Sequence, residues 1–195
     1  MRAVPLLGVA LFALVVGCAH GPVIARAPDR GDWSVVPGVT VYTQKGEADC
    51  GPAALATILS RWGVPSSAAW RGPHAVRDDG ATAGELRDVA RRLGFHAYVI
   101  QGAFDDLDFE LTRARPVLVG VIRPTDAGPR SHFVAVVGRE AGGARWLLAD
   151  PARGLDVVAR AKLQAEWEAS GFVTLVIAPR ADAPAPRPPE VRAAL

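Results

Sequence analysis

The stretch Gln44-Lys45-Gly46-Glu47-Ala48-Asp49-Cys50-Gly51-Pro52-Ala53-Ala54-Leu55 decides how this chain reads, because it sets one cysteine at the mouth of a helix with a side-chain amide six residues upstream. Beyond it, Leu55, Ile58, Leu59 and Trp62 recur at helical spacing and form an apolar stripe. Pro52 suits a first helical turn, where its missing N–H costs nothing, and Gly63 ends the run. Cys50 is therefore expected at a helix N-terminus, where unpaired backbone N–H groups and the positive end of the macrodipole favour a thiolate. The same position also suits a small buried side chain, since free cysteine is among the most buried residue types.

The surrounding composition bounds what this sulfur can do. With 195 residues, 50% of them apolar and 22% charged, the chain is long enough for one domain with its own core. A formal net charge of +2, carried by arginines scattered along the chain, argues against a nucleic-acid partner. No glycine-rich phosphate loop is present, so no ATP and no other cofactor is expected. A zinc site fails on ligand count and spacing, so no metal is expected either.

At the N-terminus, Arg2 precedes an apolar run shorter than a membrane span, which ends in Val15-Val16-Gly17-Cys18. Residues 1–17 read as a secretory signal, and the last four residues of the run resemble a bacterial lipobox whose cysteine, Cys18, receives lipid. Acyl chains there would anchor the chain to a membrane. The expected location is the periplasmic face of the outer membrane, by analogy with lipoproteins carrying a residue such as Ala19 after the modified cysteine. With Cys18 lipidated, Cys50 has no disulfide partner in an oxidising compartment.

Four segments follow from these signals: the signal peptide, a tether at 18–35, a folded domain at 36–179, and a tail at 180–195 with four prolines that exclude a packed element. Within the domain, Thr82-Ala83-Gly84-Glu85 is a capping box ahead of a second helix with Leu86, Val89, Ala90 and Leu93 inward. A strand is expected at 95–100 and a short helix at 105–113. Strands follow at 117–122, 133–137, 146–149 and 172–177, with a helix at 162–168. Helices first and antiparallel strands afterwards make this an α+β fold.

A nucleophilic cysteine needs a base and a group that orients the base. Of the four histidines, His20 sits beside the lipidation site and His74 in a polar loop, while His96 could occupy a strand face. His132 opens a strand next to a flexible loop, and Asp150 closes the next strand just before Pro151. Pairing of those strands as a hairpin places carboxylate beside imidazole. Gln44 could join the Cys50 backbone N–H in stabilising an oxyanion. Taken singly, each of the three also fits a structural role.

Together these residues resemble the bacteriocin-processing, or double-glycine, cysteine peptidase family, a branch of the papain-like fold. The matching pieces are Gln44 with Ala48-Asp49-Cys50-Gly51-Pro52-Ala53, then His132-Phe133-Val134-Ala135-Val136-Val137-Gly138, then Asp150-Pro151 with Gly154. The resemblance spans 36–177 and implies Cys50 as nucleophile, His132 as general base and acid, Asp150 as its orienter and Gln44 as oxyanion donor. It implies peptide hydrolysis through a thioester, with a peptide or protein as substrate. The identity of the substrate does not carry over, because an export signal stands where familiar members have an ABC exporter. Two other readings share this frame: an inactive peptide-binding module, and a different thiol acyl transfer such as an amidase.

Overall fold

Residues 23–71 and 80–180 are described by the computed structural model. The expected signal segment with Cys18 and His20, His74, and all but the first residue of the Pro-rich tail lie outside them. The elements run β1 (Val23–Ile24), β2 (Trp33–Val35), β3 (Thr40–Val41), α1 (Cys50–Ser60), α2 (Ala83–Arg92), β4 (Phe95–Gln101), α3 (Phe104–Thr112), β5 (Val117–Arg123), β6 (Arg130–Glu140), β7 (Arg145–Asp150), β8 (Gly154–Ala159), α4 (Arg160–Glu168) and β9 (Val173–Pro179). Helices α1 and α2 precede an antiparallel sheet in the order β4-β9-β5-β6-β7-β8, with β2 added on β6. The α+β expectation holds.

Helix α1 is more deeply set than an amphipathic stripe implies, since every residue from Gly51 to Leu59 is buried. The faces outside the Leu/Ile stripe are small, Gly51, Ala53, Ala54 and Ala56, so neighbouring elements can close on the helix from several sides. At Gly51 an added Cβ would stand 3.2 Å from Ala81 Cβ and Leu86 Cδ1 and 3.4 Å from Phe133 Cδ2. Helix α2 starts as its sequence dictates: Thr82 Oγ1 accepts from Glu85 N–H at 3.2 Å, and Glu85 Oε2 accepts from Thr82 N–H at 2.7 Å.

The strands bury Val117–Val119 and Val121 of β5, Val134–Val137 of β6 and Trp146–Ala149 of β7. Phe104, Trp146, Trp167 and Phe172 form a chain of ring contacts with centroids 5.1 to 5.5 Å apart, tying α3 and α4 to the sheet.

Three expectations are corrected. Ordered structure begins inside the segment read as a tether, because β1 pairs with β3 and β2 pairs with β6. Gly138 makes the second pairing possible: a Cβ there would lie 2.8 Å from the Ser34 carbonyl oxygen. Strand β6 extends well beyond 133–137 in both directions, since its polar ends still pair, with Arg130 opposite Arg123 on β5 and Glu140 opposite Trp33 on β2. His132 therefore lies within the strand rather than at its start. Strand β8 was not expected, because Val158 is its only buried residue and an edge strand of that kind carries almost no apolar signal. Among the described residues, no helix is long and apolar enough to cross a membrane.

Candidate active site

Cys50 is the first residue of α1. Asp49, which precedes it, does not cap the helix through its side chain; its Oδ2 instead accepts from the Gly46 N–H at 2.9 Å and fixes the turn leading into the cysteine. That side chain caps none of the first N–H groups of α1, and the Gly51 N–H is hydrogen-bonded to the Cys50 sulfur at the positive end of the helix.

Sheet geometry delivers the other two groups. In the β5–β6 pairing Val121 lies opposite His132, and in the β6–β7 pairing Ala135 lies opposite Ala149. One residue further along, Asp150 comes to the same sheet face as His132, because side chains alternate with a period of two. His132 Nε2 lies 2.7 Å from Asp150 Oδ1. With Nε2 turned to the carboxylate, the imidazole has Nδ1 left for its hydrogen bond with Cys50. The structure thus brings Cys50, His132 and Asp150 into one chain of contacts. His96 is elsewhere, on an exposed position of β4.

Asp150 is wholly buried, and three donors compensate it. Oδ1 also accepts from the Ala152 N–H at 2.9 Å, and Oδ2 accepts from Arg123 Nη1 at 2.6 Å. Burial alone would push this carboxyl up; the bonds from His132, Arg123 and Ala152 overcome it and hold the group well below its ordinary value. Burial likewise pushes His132 down, and its bonds to Asp150 and Cys50 reverse this, so the imidazole titrates above 6.5. For Cys50 burial opposes ionisation, while the His132 hydrogen bond, the Phe133 N–H, the His132 charge and the Gly51 N–H outweigh it and bring the thiol below 9.0. The three shifts agree in direction: they favour thiolate, imidazolium and carboxylate side by side.

Gln44 is placed by its backbone, whose N–H donates to the Pro151 carbonyl at 2.9 Å and so ties the segment before α1 to the turn after β7. Its Nε2 donates to the Gly46 carbonyl at 3.0 Å, and its Oε1 is buried without a hydrogen-bond partner among the described residues. One of the two amide hydrogens is thus engaged by the protein and the other is not assigned to Gly46.

Beside the sulfur, a cavity of about 320 Å³ is lined by Glu47, Ala48, Cys50, Gly80, Ala81, Pro129, Arg130, Ser131 and Phe133. Arg130 and Glu47 form an exposed ion pair at 2.9 Å among these lining residues. Among the described residues no cluster of His, Cys, Asp and Glu could hold a metal ion.

Arg123 and Glu166 were not singled out from sequence. Arg123 Nε donates to Glu166 Oε2 at 3.1 Å while its Nη1 serves Asp150, so one guanidinium joins two carboxylates. The available signal was parity: Arg123 is two residues from Val121, which pairs with His132, and so shares the histidine's face.

Comparison with known proteins bears on this arrangement. The peptidase domain of Streptococcus ComA, a bi-functional ABC transporter involved in quorum sensing, superposes with a TM-score of 0.59 at 23% identity, covering 72% of this chain and 98% of that one. A C39-like peptidase from Bacillus anthracis superposes with a TM-score of 0.60 at 18% identity, covering 76% and 98%. A double glycine motif protease from an AMS/PCAT transporter, solved in complex with the leader peptide, gives 0.56 at 22% identity, covering 82% and 98%. These likenesses show a papain-like peptidase fold. No curated protein sequence matches the chain. The Peptidase C39 family model matches residues 39–182, which takes in α1, β6, β7 and all the strands that carry the site, and the chain therefore belongs to the peptidase C39 family of cysteine peptidases.

Proposed function

We propose that this chain hydrolyses a peptide bond of an envelope peptide or protein through a thioester on Cys50. The observation that carries the reading is His132, hydrogen-bonded to Cys50 on one side and 2.7 Å from a buried carboxylate on the other. In this reading the Cys50 thiolate attacks the scissile carbonyl carbon, and the carbonyl electrons move onto oxygen. The oxyanion is stabilised by the Cys50 backbone N–H and by the amide hydrogen of Gln44 that Gly46 does not hold. As the C–N bond breaks, the imidazolium of His132 gives its Nδ1 proton to the departing amine, leaving a thioester. His132 then takes a proton from water, whose oxygen attacks the thioester, and thiolate and carboxylic product are released. Asp150 keeps Nε2 protonated, so that Nδ1 is the nitrogen that exchanges protons with sulfur and substrate.

A peptide as substrate is supported by the family and by the leader peptide bound to the AMS/PCAT protease. The lipobox-like Val15-Val16-Gly17-Cys18 supports a lipid anchor with Cys18 as the acylated residue, and Ala19 after it supports the periplasmic face of the outer membrane by analogy with other lipoproteins.

The test compares envelope extracts incubated with wild-type protein and with Cys50→Ala, reading new peptide N-termini by mass spectrometry. New termini with wild type alone are expected; identical termini with both would overturn the peptidase reading. A Cys18→Ser variant should move the protein from the membrane to the soluble fraction.

A further inference from the structure

Asp150 uses its two oxygens for different purposes. Oδ1 meets His132 Nε2 and the Ala152 N–H, whereas among the described residues Oδ2 is held by Arg123 alone, at 2.6 Å. A carboxylate bonded on one oxygen can rotate about χ2; one bonded on both cannot without losing a partner. Arg123 is itself held, because its Nε donates to Glu166 Oε2, and Glu166 Oε1 lies 3.9 Å from Lys162 Nζ on the same helix. The side chains of Arg123 and Glu166 are 11% and 13% exposed and that of Asp150 is not exposed at all, so solvent screens this chain of charges poorly.

We propose that Arg123, braced by Glu166, is a positioning residue that locks Asp150 in the orientation His132 needs. This rests on the assignment of Cys50, His132 and Asp150 as the reacting and orienting groups. The arrangement alternates in sign: thiolate, imidazolium, Asp150, Arg123, Glu166, Lys162. Take away the Arg123 charge and two carboxylates from separate elements, β7 and α4, share a poorly hydrated space without the cation between them. A buried carboxyl in that position binds a proton more readily, and protonated Asp150 no longer supports an imidazolium. The less well supported imidazolium then stabilises the thiolate less, and the sulfur is protonated at a higher pH than in the wild type. The neighbouring charges do not replace Arg123. Arg130, its register partner on β6, is paired with Glu47 at the cleft, and Arg153 in the turn after β7 lies 3.7 Å from Asp156.

An ion pair serving only to attach α4 to the sheet would lower stability when broken and leave the protonation of Cys50 alone. The pH dependence of Cys50 alkylation by iodoacetamide separates the two roles and needs no substrate. The full chain is used, with labelling at Cys50 resolved from Cys18 by mass spectrometry of its peptides, and with melting temperature recorded for each variant. Arg123→Met should move the acid limb of the alkylation profile up by about one pH unit. Arg123→Lys, a cation that cannot fork to two carboxylates, should show a smaller shift in the same direction. Glu166→Ala should move the limb in the same direction by less.

A folded Arg123→Met protein whose acid limb coincides with wild type, or moves down, overturns the proposal. Should Arg123→Met fail to fold, Arg123→Lys and Glu166→Ala decide the matter, and acid limbs at the wild-type position in both overturn it. Shifted limbs in a protein that cleaves no peptide would support the positioning role while counting against the peptidase reading.

Discussion

His132 Nε2 lies 2.7 Å from Asp150 Oδ1, and the carboxylate it meets is closed off from solvent. An isolated buried carboxylate is costly, so the pair persists only because Arg123 and the Ala152 N–H complete its coordination. Replacement by asparagine keeps one oxygen for His132 and sets an amide hydrogen-bond donor among donors. Asp150→Asn is expected to lose about 3 kcal/mol of stability in urea unfolding and to lower kcat by at least about 100-fold. An Asp150→Asn protein as stable as the wild type would show that Arg123 does not depend on that charge.

The pH dependence of stability follows from the signs of the shifts. Asp150 is depressed in the folded chain, so its contribution is complete above the unfolded carboxylate value of about 4 and falls away as pH drops towards the folded value. His132 is raised, so its contribution is complete below about 6.5 and is lost as pH rises through the folded value. Cys50 is lowered and works against that alkaline loss, since its contribution grows as pH rises from its folded value to the unfolded one. Removing the thiol takes away this opposing contribution together with its share of the histidine's rise, and leaves the part that Asp150 sustains: Cys50→Ala is expected to lose stability more steeply than wild type above about pH 6.5. Urea midpoints measured from pH 3 to 9 for the two proteins check this, and parallel curves on the alkaline side would refute it.

Gln44 separates chemistry from stability. Among the described residues its side chain makes one hydrogen bond, to the Gly46 carbonyl, so Gln44→Ala should cost no more than about 1 kcal/mol. As an oxyanion donor its loss should lower kcat about 100- to 1,000-fold with little change in KM. A fall confined to KM would assign the amide to substrate binding instead.

Gly51 allows the helix that carries Cys50 to approach its neighbours. Gly51→Val crowds Ala81, Leu86 and Phe133 and should cost about 1–3 kcal/mol. Because the displaced residue adjoins Cys50, iodoacetamide labelling of the thiol should slow as well. Unfolding and labelling rates measured on the same preparation test both parts.

What could be read from sequence was whatever a local rule specifies. Pro52 and the Thr82–Glu85 box fix helix starts whatever lies around them, and apolar runs in β5, β6 and β7 announce buried strands. Their residues also placed Cys50, His132 and Asp150 as candidates, since a helix mouth and a strand end before proline are local features. Contacts made across the fold left weaker traces. Strand β8 buries one side chain, and β2 depends on the space left by Gly138, more than a hundred positions away in the sequence. Arg123 looks like a surface charge at the end of a strand until the β5–β6 register puts it on the face of His132.

The hydrogen bond from the Gln44 N–H to the Pro151 carbonyl joins the stretch that delivers the thiol to the turn that follows the carboxylate. The two lie far apart along the chain and meet only once helix α1 is seated on the sheet. A partly folded chain with the sheet formed but the helix undocked has His132 and Asp150 without Cys50, and one with the helix alone has Cys50 without His132. The site is thus assembled only when the helix layer and the sheet close on each other, and a chain in which either is loose holds its parts without the arrangement.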